Sequence, residues 1–411
     1  MTPQSEARAV SAVVAAFVFA LHPVQTEAIV YVFARSGLLA TLFCLLALRS
    51  WLAEKPWVGT GWFALGLLAK EECAAFPVFL WFLEYIRKRE RRIPALGAMA
   101  GLAGVAVWRV AVLAAETPGS GAGAQADVTP MQYLATQGWS IIRYLQLLAI
   151  PVGFSVEPNI RVIGGWLAVI CWSAVSLLLW MGWQRKENLG PGFWFLGGLI
   201  LLAPTSSIFP ASDLAADRRV YLPMVAWSAM VGLILHRTNY RVLLVAGGIL
   251  YAMFSFVRTQ AWMSEVSLWE DAMRWAPEKV RPRVQLARAS PPDRALDLLE
   301  EARRIEPENS RVATEMGRVY LTQGKPGEAL REFGRVVAAL PNDPSALNNR
   351  GVALLALGMK DHAVADFRKA VELQPCLGEA WDNLRKAGAV HGGPDGCDVD
   401  GLTERIELPD E

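Results

Sequence analysis

A repeat of thirty-four residues near the C-terminal end constrains this chain more than any other feature. Pro307, Pro341 and Pro375 are spaced by it, as are Gly317 and Gly351, Gly324 and Gly358, Ala329 and Ala363, and Phe333 and Phe367. A period of that length, built on small, aromatic and proline positions, predicts stacked helix pairs. The small residues let the two helices of a pair approach, the Phe fills the groove between repeats, and the Pro ends the second helix. The register runs backward through Ala295, Leu299, Ala302 and Pro307, where the first helix is expected to be trimmed around Pro291 and Pro292. It runs forward to Trp381, which opens a capping helix. Two full repeats with partial ones on either side make a short solenoid, because each unit buries its apolar face only against a neighbour.

These are the positions of the tetratricopeptide repeat, whose ordinary work is to bind or pack against protein; no residue in the repeats suggests catalysis. Ahead of Arg258 the composition is different. The chain is 53% hydrophobic with a mean hydropathy of +0.28, and the excess lies almost wholly in that first part. The expected fold class is all-α: a polytopic transmembrane helical bundle over 1–258, a tetratricopeptide α-solenoid over 259–392 and a polar tail over 393–411. Spans are expected near 10–22, 37–52, 57–70, 73–86, 94–115, 162–183, 192–207, 220–236 and 242–258. Several Trp residues (Trp51, Trp57, Trp62, Trp139, Trp166, Trp183) mark segment ends, as an interfacial belt would. The formal net charge is +1 and no basic tract is interleaved with aromatics, which argues against a nucleic-acid partner.

Basic loops set the orientation. Arg87, Lys88, Arg89, Arg91 and Arg92 surround Glu90, and Arg185-Lys186 and Arg237–Arg241 agree with them. Placing these inside puts the loops at 22–36, 70–72, 116–137 and 208–219 outside. The last span then delivers the repeats to the periplasmic or lumenal face. The apolar segment 138–151 holds Arg143 and ends at Pro151; crossing there would invert every later loop, so it reads as an interfacial or re-entrant helix. Residues 7–21 do not read as a signal peptide, since the only basic residue is Arg8 beside Glu6 and no A-x-A site precedes His22. Cys44, Cys73 and Cys171 are expected as apolar filler without metal spacing. Cys376 and Cys397 could pair if the tail is extracytoplasmic.

Polar residues gather in the outer loops. The first carries His22, Glu27 and Arg35, the second Lys70, Glu71 and Glu72, and the last Asp213, Asp217, Arg218 and Arg219. Carboxylates beside fixed cations suit an acceptor hydroxyl and a leaving phosphate. Composition alone favours the plainer reading, ordinary interfacial ion pairs that snorkel to water. The spans are mostly uncharged in their middles, Arg109 being the main exception, which disfavours a transporter.

The blocks HPVQTEAIVYVFARSGLLATLF, GLLAKEECAAFPVFLWFLEY, YLQLLAIPVGFS, LAPTSSIFPASDLAADRRVYLP and RTQAWMSEVSLWEDAMRWAP occur in that order. Over nearly all of residues 10–390 they resemble the transmembrane and tetratricopeptide repeat O-mannosyltransferase family and its bacterial relatives, membrane glycosyltransferases of the C superfamily. The resemblance implies a sugar donor linked to polyprenyl phosphate, used at the outer face of a bacterial inner membrane, and protein hydroxyls as acceptors. It makes Arg35, Lys70, Arg218 and Arg219 candidates for the lipid phosphate and Glu27, Glu71 and Asp217 the site-lining carboxylates, with no metal. Asp217 stands where relatives more often carry Glu. Family members also begin with a further span and a long outer loop bearing an acidic pair, whereas this chain begins at what would be the third span. The alternative is a non-catalytic membrane scaffold that touches lipid through its spans and partner proteins through 262–390.

Overall fold

The computed structural model describes residues 3–88, 92–116, 128–207, 210–211, 213–235 and 240–390. Its long elements are all helices, and the chain divides into two units, Met1–Met263 and Ser264–Glu411. The division falls beyond Arg258 because the helix Tyr240–Gln260 continues past that residue and a turn follows it.

In the first unit, glycines decide which helices touch. The helix Pro3–Leu21 lies against Tyr221–Leu235, where a Cβ on Gly232 would stand 2.4 Å from the Ser11 carbonyl. Arg35–Leu52 pairs with Pro56–Ala69, with Gly59 against the Ala47 carbonyl. Pro191–Leu202 meets Tyr221–Leu235 at Gly198, whose missing side chain makes room for the Trp227 indole. Two apolar cores result. One is built on Phe63, Phe76, Phe79, Phe82 and Phe193, and the other on Tyr144, Leu147, Met224 and Trp227.

Among the described residues, four helices are long and apolar enough to cross a membrane: Arg35–Leu52, Ile93–Leu113, Gly165–Gln184 and Asp217–Leu235. The segments expected at 57–70 and 73–86 are helical where expected, but too short to cross straight. Their helices, Pro56–Ala69 and Phe76–Arg87, hold 14 and 12 residues. At ~1.5 Å per residue they reach roughly 21 and 18 Å, short of the ~30 Å of a hydrocarbon core. The cause is the Lys70 turn and the 3-10 stretch Glu71–Ala75 between them. Likewise Pro191–Leu202 stops short of 207. The segment expected at 138–151 is the C-terminal part of a longer helix, Pro130–Ala149, opened by a reciprocal capping box between Thr129 and Gln132.

Ion pairs gather at both ends of this unit. At the C-terminal end of Arg35–Leu52, the Trp51 indole donates to Glu84 at 2.8 Å and Arg92 donates to the Trp51 carbonyl and pairs with Glu84. Arg89, Glu90, Arg91 and Arg237 lie outside the described residues. The opposite end gathers the loops that hold Glu27, Lys70 and Arg218.

The second unit holds helices Glu265–Trp275, Val280–Arg288, Pro292–Ile305, Ser310–Thr322, Pro326–Ala339, Pro344–Ala356, Lys360–Leu373 and Gly378–Lys386. The repeat expected to have a trimmed first helix has a short one, Val280–Arg288, of 9 residues against the 13 of Ser310–Thr322, and a further helix precedes it. A Cβ on Gly317 or Gly351 would come within 2.5 Å of Phe333 or Phe367. Gly324 and Gly358 turn each hairpin at φ +67° and +77°, where a side chain would be strained. Asn309 and Asp343 cap the first helices of their repeats, each side chain accepting two backbone N–H groups. First helices of consecutive repeats touch one another, while second helices stay further apart. The solenoid therefore curves with its first helices inside. Cys376 is disulfide-bonded; Cys397 lies outside the described residues.

Candidate functional site

Glu27 stands on the short helix Gln25–Val30. Two contacts set that helix: the His22 Nδ1 accepts the Val24 N–H at 3.2 Å, and Gln25 donates to the Phe19 carbonyl at 3.1 Å. Arg218 reaches Glu27 from the 3-10 stretch Asp217–Val220. Its Nη1 donates to the Glu27 Oε1 at 2.9 Å and its Nη2 to the Asp213 Oδ2 at 2.7 Å. The guanidinium lies 5.6 Å from the Tyr31 ring centre. Asp217 turns the other way. It pairs with Arg143 and accepts the Ser155 backbone N–H at 3.2 Å. Arg219 is buried, donating to the Tyr133 hydroxyl at 3.2 Å and to the Asp213 carbonyl at 2.7 Å.

Along one face, Pro130–Ala149 binds these loops. Tyr133 donates to the Thr205 carbonyl, Gln137 and Ser140 to that of Leu214, and Tyr144 to that of Ala216. Near its end His22 Nε2 lies 3.3 Å from the Leu148 carbonyl. The helix thus runs across the loops, with its polar face turned toward them and Met131 and Trp139 turned out.

Of the residues singled out in the sequence, Glu27, Asp217, Arg218 and Arg219 come together, and Lys70 lies beside them. Lys70 pairs with Glu72 at 2.8 Å. Glu71 and Arg35 are exposed and stand outside the cluster, with no ion pair among the described residues. Arg143 and Asp213 were absent from the candidate set, yet each holds one of its members. An arginine inside an apolar segment was the available signal, since a buried cation needs a partner. Among the described residues no group of three His, Cys, Asp or Glu could hold a metal.

The cluster is closed. Three carboxylates (Glu27, Asp213, Asp217) meet three guanidinium groups (Arg143, Arg218, Arg219). The cleft between Lys70, Glu72, Thr41 and Arg218 has about 10 Å³ of free space, roughly one water. As it stands, neither Asp217 nor Arg218 is free to act on a substrate.

Among the cluster's carboxylates, the Glu27 Oε2 is buried without a hydrogen-bond partner. Burial raises the Glu27 carboxyl from 4.5 to about 7, with help from the Asp217 charge and against the pull of Arg218. A carboxyl raised on folding binds its proton more tightly in the folded chain. The stability this contributes is full below pH 4.5 and is lost as pH rises to about 7. The free energy of unfolding of the first unit should therefore fall across that window by on the order of 3 kcal/mol. Glu27→Gln should flatten the slope; an unchanged slope would show that another group titrates.

Comparison with known proteins bears on the second unit. A tetratricopeptide-repeat family profile matches residues 314–375. The heat shock protein sti1 homolog of Schizosaccharomyces pombe (strain 972 / ATCC 24843) is 26% identical over 105 residues, 26% of this chain. The chain spans 17% of that curated relative's length. Among solved structures, the first TPR of Spaghetti (RPAP3) bound to the HSP90 peptide SRMEEVD is 28% identical over 24% of this chain and 77% of its own, with a TM-score of 0.23. YrrB, a TPR protein with an unusual peptide-binding site, is 22% identical over 34% and 74%, with a TM-score of 0.28. The C-terminal unit of this chain is a tetratricopeptide-repeat solenoid.

Proposed function

We propose that the chain is a membrane-inserted scaffold whose repeats bind an extended segment of a partner protein. The observation that carries this reading is the polar seam on the inner face of the solenoid. Arg288 pairs with Glu315 of the next first helix, and Arg318 joins them at 3.7 Å. Further along, Asn383 donates to Asn348 at 2.9 Å, again between first helices. Guanidinium and amide groups in a row can meet the carbonyls and carboxylates of an extended chain. Arg318→Glu should weaken such binding about tenfold or more. Arg331→Glu, on an exposed second helix, should leave it unchanged. Equal losses from both would remove the reading.

The four long apolar helices support insertion, and the basic loops support an outer-face position for the repeats. A disulfide at Cys376 supports the same side, because disulfides persist outside reducing compartments. Protease added to intact spheroplasts should then degrade the repeats without lysis. Degradation only after lysis would put them inside a bacterial inner membrane.

A second reading is a glycosyltransferase using a polyprenyl-phosphate sugar and protein hydroxyls. The convergence of Glu27, Asp217, Arg218 and Lys70 in loops at one end favours it. It requires the cluster to open, since each charge near the cleft is already paired. Sugar transfer by the purified chain, abolished by Arg218→Ala or Lys70→Ala, would support it over the scaffold.

A further inference from the structure

An open groove of about 390 Å³ runs down the first unit between Gly165–Gln184 and Pro191–Leu202, closed at its back by Phe82 and Ile141. Along Gly165–Gln184 it extends from Trp172 to Trp183, roughly 16 Å at the helical rise. Its walls are almost entirely carbon. Their one notable polar feature is Ser206, 7% exposed, whose hydroxyl lies buried at the groove without a hydrogen-bond partner. A buried hydroxyl left unpaired costs free energy, so this oxygen points to an absent partner.

The surroundings say what kind. The outer surface of Gly165–Gln184 is apolar, with Trp166, Ile170, Leu177 and Trp180 all exposed; the groove opens beside a surface suited to lipid rather than water. A peptide laid in it would bury a row of backbone N–H and C=O groups against carbon. A hydrocarbon chain has no such groups to lose. Nor does the groove suit a chain headed by phosphate, because no Lys or Arg is among the described residues that line it. A hydroxyl can donate to an uncharged ester carbonyl.

We infer that this groove holds one acyl chain of a membrane glycerophospholipid, with the Ser206 hydroxyl donating to the ester carbonyl. The inference rests on the membrane-inserted reading and adds to it a specific lipid site. Occupancy would fill the space between two helices otherwise joined across a void, and so would stiffen the unit.

The test uses the full chain reconstituted in phosphatidylcholine vesicles containing a phosphatidylcholine with a photoactivatable diazirine on its acyl chain. Labelled peptides are mapped after illumination. Labelling should concentrate on 165–184 and 191–206 over the equally apolar Ile93–Leu113. Leu199→Trp, which fills the groove, should remove that enrichment while labelling of Ile93–Leu113 persists. Ser206→Ala removes a single oxygen and should lower the enrichment about fivefold. Even labelling of all apolar helices, unchanged by either variant, would mean boundary lipid only and would overturn the site while leaving insertion intact. A chain that fails to float with the vesicles would overturn insertion and the site together.

Discussion

Phe367→Ala is expected to cost the repeat unit about 3–5 kcal/mol, the range for emptying a buried aromatic position. Phe367 is fully buried, and its ring lies where Gly351 leaves no Cβ. The two positions are one steric device: the glycine admits the ring, and the ring joins one helix of the pair to the other. Gly351→Ala alone should cost about 1–3 kcal/mol through overpacking, since its Cβ would fall 2.5 Å from the ring. Combined with Phe367→Leu, the new methyl gains room, and the double variant should lose less than the sum of the singles. Hydrogen exchange over 344–373 in the full chain reads all three. Strict additivity would show that the pair does not act as a unit. Because solenoid stability passes between neighbours, protection should also fall in Pro326–Ala339 and Gly378–Lys386.

Arg143→Ala should destabilise the first unit by about 3–5 kcal/mol, because it leaves Asp217 charged and buried without its partner. Asp217 is 1% exposed, and after the loss it keeps only the Ser155 N–H among these contacts. Arg143 also donates to the Gly153 carbonyl at 3.1 Å, so the irregular 150–164 segment should loosen with it. Replacing both members, as Arg143→Met with Asp217→Leu, removes the unpaired charge and should recover most of the loss. Unfolding midpoints in detergent of the unaltered chain, Arg143→Met, Asp217→Leu and the double variant measure the coupling. If the double variant is worse than both singles, the pair is more than a neutralised contact.

Legibility followed the range of the physics. Gly317, Phe333 and their equivalents could be read because a steric requirement recurs at a fixed interval, leaving the same letters each time. The first helix Val280–Arg288 is short, as expected, but it is trimmed at its start rather than at the paired prolines 291 and 292. Pro292 in fact sits in the opening turn of the next helix, where its missing N–H costs nothing. Apolar segments were visible too, and so was the break at 70–72 that separates Pro56–Ala69 from Phe76–Arg87. In the charged loops, composition brought Glu27, Arg218 and Asp217 to notice. It could not say who pairs with whom, because Arg143 and Asp217 are 74 residues apart and Glu27 and Arg218 are 191 apart. Pairing at that range is decided by helix packing, which leaves no local mark. The resulting neutralisation separates a closed cluster from an open catalytic site.

The most direct measurement of the scaffold account places a photo-crosslinking amino acid at position 383, on the inner face, or at position 331, on a second helix, of the full chain in its native membrane. The account expects a discrete protein adduct from 383 and none from 331, retained in the Glu27→Gln chain and lost when Arg318→Glu is added. Adducts of equal yield from both positions, or an adduct from 383 that vanishes with Glu27→Gln while Arg318→Glu leaves it intact, would contradict it.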